Sequence, residues 1–420
     1  MLDTITSPLI SIEEITRARH RLAGVALRTP LMRSTRLSQK YGADIWLKRE
    51  DLQEVRSYKI RGSYNNLASL TDEQRARGVV CASAGNHAQG LAYACNRLGV
   101  KGKIYMPVVT PAQKVSKVRM FGGENVEIVL VGDTYDDAYE ESRRVAQEYG
   151  MTYVHPFDDP MTIAGQGTVG LEILDEPNVG PIDTVLMAVG GGGLSAGVGS
   201  VFAQLSPTTE LIGVEPEGAP AMHGSLAAGR IVPLETMDSF VDGAAVRTVG
   251  TNNFPIVQEV LKEVLLVPEG QVCATMLELY NEDGIVAEPA GALSVAALDH
   301  LGDIRGRTIV CVVGGGNNDI TRTAEIQERA LLWRGLKHYF IVTFPQRAGA
   351  LREFLGVLGP DDDISHFAYT KKHNRSYGPA IVGIELTRPE DLEPLMERMR
   401  ATRIDFRWLN EEPVLFEMLV

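Results

Sequence analysis

One rhythm constrains the fold of this chain more than any other feature. A short apolar, β-branched run is followed by a loop of glycine or serine and then by an amphipathic helical stretch, again and again. It is read in GVVCASAGNHAQGLAYACNRL, KGKIYMPVVTPAQKVSKV, VEIVLVGDTYDDAYEESRRVAQ, DTVLMAVGGGGLSAGVGSVF and RTIVCVVGGGNNDITRTAEI. Strand and helix alternating at this spacing predict βαβ units and a mainly parallel sheet, an α/β fold whose ligands gather at the carboxyl ends of the strands. Near residue 335 the rhythm changes. From LKHYFIVTF through AGALREFLGVL, ISHFAYTKK, PAIVGIEL and EDLEPLMERMRA to IDFRWL the order is βαββαβ, a ferredoxin-like module. The boundary is placed at the charged helix TAEIQERALLWRG, giving a larger part over 1–325, a linker helix over 326–335 and a terminal module over 336–420.

Composition narrows the partners. The 420 residues are 44% hydrophobic, enough for two or three domains with sizeable cores. A formal charge of −13 disfavours nucleic acid and anionic membranes, which attract basic surfaces. Cys81, Cys95, Cys273 and Cys311 lie far apart without CxxC spacing, so neither a metal site nor a disulfide framework is indicated. The start carries acidic residues and no apolar core of signal-peptide length, and no later run is long enough to span a bilayer. The expected location is cytoplasmic.

Three loops of the larger part can carry chemistry. Gly190 to Gly193 follow an apolar strand and precede a helix, where backbone N–H groups and the helix N-terminus suit a phosphate. A tight packed turn is the plainer reading. A dinucleotide fingerprint is a third, because Gly191, Gly193 and Ala196 fit G-x-G-x-x-A and Glu215 ends the next strand. The second loop, ASAGNHAQG, brings Ser83, Gly85, Asn86 and His87 to a helix start, able to hold a carboxylate or simply to cap. The third, VGGGNND from residue 313, says only that something can approach the backbone. Lys59, in VRSYKIRGSY, stands in the first turn of a helix that Ser57 could cap. A lysine desolvated there becomes a carbonyl nucleophile and a base.

Taken together, RSYKIRG, SAGNHAQG, GGGGL and EPAGA resemble, in order and spacing, the fold-type II pyridoxal phosphate enzymes, and most closely the threonine dehydratases. The tail with FPQRAGALREF looks like the single ACT-like regulatory domain of their shorter biosynthetic members. The resemblance implies two open parallel-sheet subdomains, the smaller at roughly 55–160, with the ACT-like domain behind them. It implies that Lys59 joins the cofactor aldehyde, that Tyr58 sits against its ring and that Asn86 meets its phenolic oxygen. Gly190, Gly191, Gly192, Gly193 and Leu194 would hold the phosphate, and Gly243 and Glu288 would line the pocket. Ser83, Ala84, Gly85 and His87 would surround the substrate carboxylate, with Lys59 and Ser83 the catalytic candidates.

Two positions depart from related patterns. The racemases of the group carry a second serine where this chain has Ala84, which favours elimination. The dehydratase pattern places serine at Gly314, against the pyridine nitrogen, and glycine offers no side-chain contact there. The implied reaction is β-elimination and deamination of L-threonine to 2-oxobutanoate and ammonia, with L-serine as an alternative substrate. A non-catalytic amino-acid sensor and a nicotinamide oxidoreductase are competing classes. Isoleucine is the implied effector, at the loop holding Phe344, Arg347 and Gly349, and the implied assembly is a homodimer or homotetramer.

Overall fold

The computed structural model describes residues 8–370, 376–402 and 404–419. Lys371 and Lys372, expected at the end of a strand, and the first seven residues lie outside them. By internal contacts the chain divides between Asp319 and Ile320 into two units.

The first unit holds two sheets. A six-stranded sheet runs in the order Leu31–Arg33, Asp44–Arg49, Thr308–Val313, Thr184–Ala188, Glu210–Pro216, Glu263–Val267. All neighbours are parallel except the first pair, an antiparallel edge that the repeating rhythm does not announce. Its central strand, TIVCVV, is buried at five of six positions, as expected for a strand covered on both faces. The second sheet, ordered Val126–Leu130, Gly102–Met106, Val79–Ala82, Thr152–Tyr153, is wholly parallel and is inserted between strands of the first. Helices Asn86–Leu98 and Ala112–Gly122 pack on it around Val79, Cys81, Leu91, Ile104 and Met106. The expected pair of open parallel sheets is therefore present.

The second unit has an antiparallel sheet in the order Asp363–Tyr369, Tyr377–Glu385, Lys337–Pro345, Asp405–Trp408. Alternation places Phe340, Val342, Phe344, Ala380, Val382 and Ile384 on one face, against Phe354, Leu395 and Met399 of its helices. That is the βαββαβ order read from the sequence, with a further helix Pro413–Leu419 that the reading took no account of. Helix Thr323–Trp333 belongs to this unit, with Glu328 accepting from Lys337 Nζ at 2.5 Å and from the Tyr339 hydroxyl at 2.7 Å. Cys81, Cys95, Cys273 and Cys311 are all buried free thiols. Among the described residues no helix is long and apolar enough to cross a membrane, and no group of side chains has metal-ligand geometry.

Candidate active site

Lys59 opens helix Lys59–Ser69 and is enclosed. Ser57 does not cap that helix; its backbone bridges to Gly315, and its hydroxyl is buried without a hydrogen-bond partner. The backbone anchors the helix entry instead, with Tyr58 N–H donating to Gly314 O at 3.1 Å. The Lys59 amine donates to Pro156 O at 3.0 Å and lies 5.4 Å from the Tyr58 ring and 6.0 Å from that of Phe157. Burial disfavours its ammonium form, which the charge of Glu288 only partly offsets, so its pKa is pulled down to about 8.

Across the cleft the glycine loop leaves strand Thr184–Ala188 and enters helix Gly193–Leu205. Gly192 has φ +93°, a backbone that favours glycine. A Cβ on Gly191 would fall 2.2 Å from the Phe157 ring. The loop is thus a backbone-lined cradle, and its cavity is walled by Gly190 to Leu194 with Tyr58, Lys59, Phe157, Ala188, Gly243 and Val246. Phe157, Ala188 and Val246 were not foreseen.

Asn86 begins helix Asn86–Leu98 and donates from Nδ2 to Glu288 Oε1 at 2.6 Å. Its Oδ1 accepts from Asn317 Nδ2 at 2.7 Å, which leaves one amide hydrogen for a ligand oxygen. Burial raises the Glu288 carboxyl to about 7, with Asp242 adding to the rise and the bonds from Asn86 and Asn317 opposing it. A Cβ on Gly243 would stand 3.5 Å from Glu288 Oε1, and one on Gly314 would meet only the Tyr58 ring, at 3.4 Å. Asn317 also donates to Val55 O at 2.8 Å and accepts from Lys117 Nζ at 3.0 Å, tying both sheets' loops together. The sequence reading passed over it, although it sits in the VGGGNND loop.

The Ser83–Gly85 turn leaves strand Val79–Ala82 with Ser83 Oγ accepting from Gly85 N at 3.3 Å. A Cβ on Gly85 would meet nothing within 4 Å, so the turn is open on that side. Ala84 packs against the small-sheet core. His87 turns away from the cleft. Its ring is buried between Ser63 Oγ at 3.2 Å and Val154 O at 3.0 Å, and burial drives its pKa to about 3. Only its backbone remains for a ligand. Glu215 fails the dinucleotide role, because its buried carboxylate accepts from Met222 N and His223 N, both at 2.8 Å.

Behind Lys59, two residues along its helix, Arg61 is 1% exposed. It donates to Glu50 at 2.8 and 2.9 Å, to Glu172 at 2.6 and 2.8 Å, to Thr168 Oγ1 and to Leu27 O. Lys48, equally buried, donates to Glu172 at 2.6 Å and to Thr29 O at 2.7 Å. Two cations and two carboxylates thus neutralise one another behind the helix that carries Lys59. In the second unit, Phe344, Arg347 and Gly349 line one cavity with Pro345, Ala350, Leu351, Phe367 and Tyr369. Arg347 also pairs with Glu353 at 2.8 Å.

A buried amine of lowered pKa, facing a cradle of backbone N–H groups and an amide with a spare hydrogen, fits an aromatic aldehyde that bears a phosphate. The chain belongs to the pyridoxal-phosphate dependent enzyme family, whose model matches residues 23–315, and it depends on that cofactor. Residues 328–419 match the C-terminal regulatory domain of threonine dehydratase. Similar curated proteins include the biosynthetic L-threonine dehydratases of Halalkalibacterium halodurans and Bacillus subtilis. Each is 52% identical, over 98% of this chain and 99% and 98% of theirs. Among solved structures, the processed threonine deaminase isoform 2 of Solanum lycopersicum is 38% identical with a TM-score of 0.71, covering 77% of this chain and 96% of that one. Maize serine racemase is 32% identical, also with a TM-score of 0.71, over 78% and 98%.

The depressed Lys59 pKa has a measurable consequence. Only the neutral amine attacks an aldehyde, so capture of pyridoxal phosphate by cofactor-free protein should quicken through pH 8 and level off near pH 9. A capture rate still climbing past about pH 10, the range of an ordinary lysine, would contradict the burial.

Proposed function

We propose that the protein deaminates L-threonine to 2-oxobutanoate and ammonia, as the first committed reaction toward isoleucine. The enclosed Lys59 amine beside the glycine cradle carries this reading. The near full-length similarity to biosynthetic L-threonine dehydratases supports threonine as the substrate. Bound there, pyridoxal phosphate would supply an electron sink for the pair left at Cα. The remaining work falls to the chain. Backbone N–H groups of Gly190 to Leu194 hold the phosphate, and the spare Asn86 amide hydrogen holds the phenolic oxygen. The Ser83–His87 turn orients the carboxylate through its backbone. Lys59, as the neutral amine, would take the proton from Cα and, as its ammonium, pass it to the β-hydroxyl oxygen, which leaves as water. Ala84 offers no hydroxyl for reprotonation from the opposite face, which supports elimination over racemisation. The test is to incubate the holoenzyme with L-threonine and L-serine and follow 2-oxobutanoate and pyruvate. Faster pyruvate would replace this reading with a serine-preferring dehydratase, and neither oxo acid with a sensor.

Gly314 has no side chain that could reach the cofactor ring nitrogen, and a Cβ there would meet only the Tyr58 ring, at 3.4 Å, so a small side chain could be accommodated. Gly314→Ser should therefore fold and shift the visible absorbance or the affinity of bound pyridoxal phosphate. No change in either would place that side chain away from the ring.

Isoleucine is the effector we assign to the second unit, and its aliphatic side chain suits the wall of Phe344, Phe367 and Tyr369. Isoleucine should lower threonine turnover in the full chain, and Phe344→Ala should weaken that response at least several-fold, a coupling of about 1 kcal/mol or more. Inhibition unchanged by the substitution would move the effector elsewhere. A cytoplasmic location, to which the four buried free thiols are suited, and a homodimer or homotetramer complete the reading.

A further inference from the structure

A cradle of glycines serves a phosphate only if its N–H groups, and not its carbonyl oxygens, face the cavity. Gly192 has φ +93° and ψ 0°, the dihedrals of the third residue of a type II turn. Reversing the Gly191–Gly192 peptide gives the type I counterpart, and with glycine on both sides no Cβ opposes either arrangement. One offers the cavity an N–H, the other a carbonyl oxygen. The choice has to come from outside the loop.

Asn253 makes that choice. It opens helix Asn253–Val260, is wholly buried, and stands directly behind the turn, where a Cβ on Gly192 would lie 3.1 Å from its own. Its Nδ2 donates to Gly191 O at 2.7 Å, and Gly250 N donates to the same oxygen at 3.0 Å. The carbonyl is thus pinned toward the interior. The peptide is trans, so the N–H of Gly192 points the opposite way, toward the cavity that both glycines line.

Two further observations support the role. The Asp158 carboxylate accepts from Thr251 N at 3.0 Å and from Asn252 N at 2.7 Å, which fixes the turn that delivers Asn253. The same Asn253 amide donates to Phe157 O at 3.1 Å, one residue beyond the Pro156 carbonyl that holds the Lys59 amine. Asn253 Oδ1 is buried with no partner among the described residues. An apolar side chain of the same shape would avoid that cost, so stability alone does not account for an amide here.

We propose that Asn253 is a positioning residue for the cofactor phosphate, holding the Gly191 carbonyl away from the cavity and so presenting the Gly192 N–H to the phosphate. This rests on the reading of Gly190 to Leu194 as the phosphate cradle. It also sets the cradle in register with Lys59, through the carbonyl of Phe157.

The experiment measures the affinity of the full-length chain for pyridoxal phosphate and for pyridoxal, which lacks the phosphate, by the visible absorbance of the lysine adduct. Wild type is compared with Asn253→Leu and Asn253→Thr. Both compounds offer Lys59 the same aldehyde, so the ratio of the two affinities reports the phosphate contact. Asn253→Leu should reduce that ratio about tenfold or more, the scale of one hydrogen bond to a charged group. Asn253→Thr, whose hydroxyl is one bond shorter and serves one carbonyl, should fall between, and it decides the matter if the leucine variant does not fold. A ratio unchanged from wild type would overturn the proposal, as would equal losses for both compounds, the mark of a packing defect. A wild-type chain that holds pyridoxal as tightly as pyridoxal phosphate would instead remove the phosphate from the cradle, and the proposal with it.

Discussion

Lys59→Ala should lower 2-oxobutanoate formation from L-threonine by about a thousandfold or more, because one substitution removes both the amine proposed to capture the cofactor and the base proposed to act at Cα. The structure explains why no neighbour can take over. Among the described residues of the cavity wall, Lys59 is the lone amine, faced by two aromatic rings and by glycine backbone. Pyridoxal phosphate should still enter the cradle, held by its phosphate, but without the visible absorbance of a lysine adduct. A variant retaining a tenth of wild-type turnover would show that the base lies elsewhere.

The next largest effect belongs to Arg61. Arg61→Met should cost about 3–5 kcal/mol, because Glu50 and part of Glu172 would be left charged and unpaired in the interior. It should appear as an earlier denaturation midpoint of the full chain. The charge on Arg61 is firmly held, since both carboxylates outweigh the cost of its burial and raise its pKa. Pairing the change with Glu50→Gln should restore part of the loss, because the orphaned charge goes with it. If the double variant were as unstable as the sum of the two single changes, packing alone would account for the defect. The substitution should also weaken activity, since this charge cluster fixes the turn from which Lys59 projects.

Local chemistry was legible in the sequence; convergence in space was less so. Strands such as TIVCVV and the glycine loop announce themselves through apolar runs and breakers that act within a few residues. The edge strand Leu31–Arg33 has three residues and no period of its own, and only pairing with Asp44–Arg49 defines it. Helix Pro413–Leu419 did carry a signal, a proline before an apolar run, but seven residues are too few for periodicity. Phe157 and Asn317 enter the site through tertiary contacts that no spacing encodes. His87 reads the other way. It stands in a motif that suggests a ligand contact, and its ring is spent bracing the helix start against Ser63 and Val154.

The order of the strands also bears on how the chain is made. The small sheet needs nothing beyond Tyr153, whereas Asp44–Arg49 finds its parallel neighbour only when Thr308–Val313 has been synthesised. At ribosomal speeds that interval is roughly ten to thirty seconds. During it the small sheet can close as a unit, while an early strand of the large sheet waits with an unpaired edge. A nascent chain at that stage is open to wrong pairing and to chaperones, and release of the last central strand completes both the sheet and the cleft.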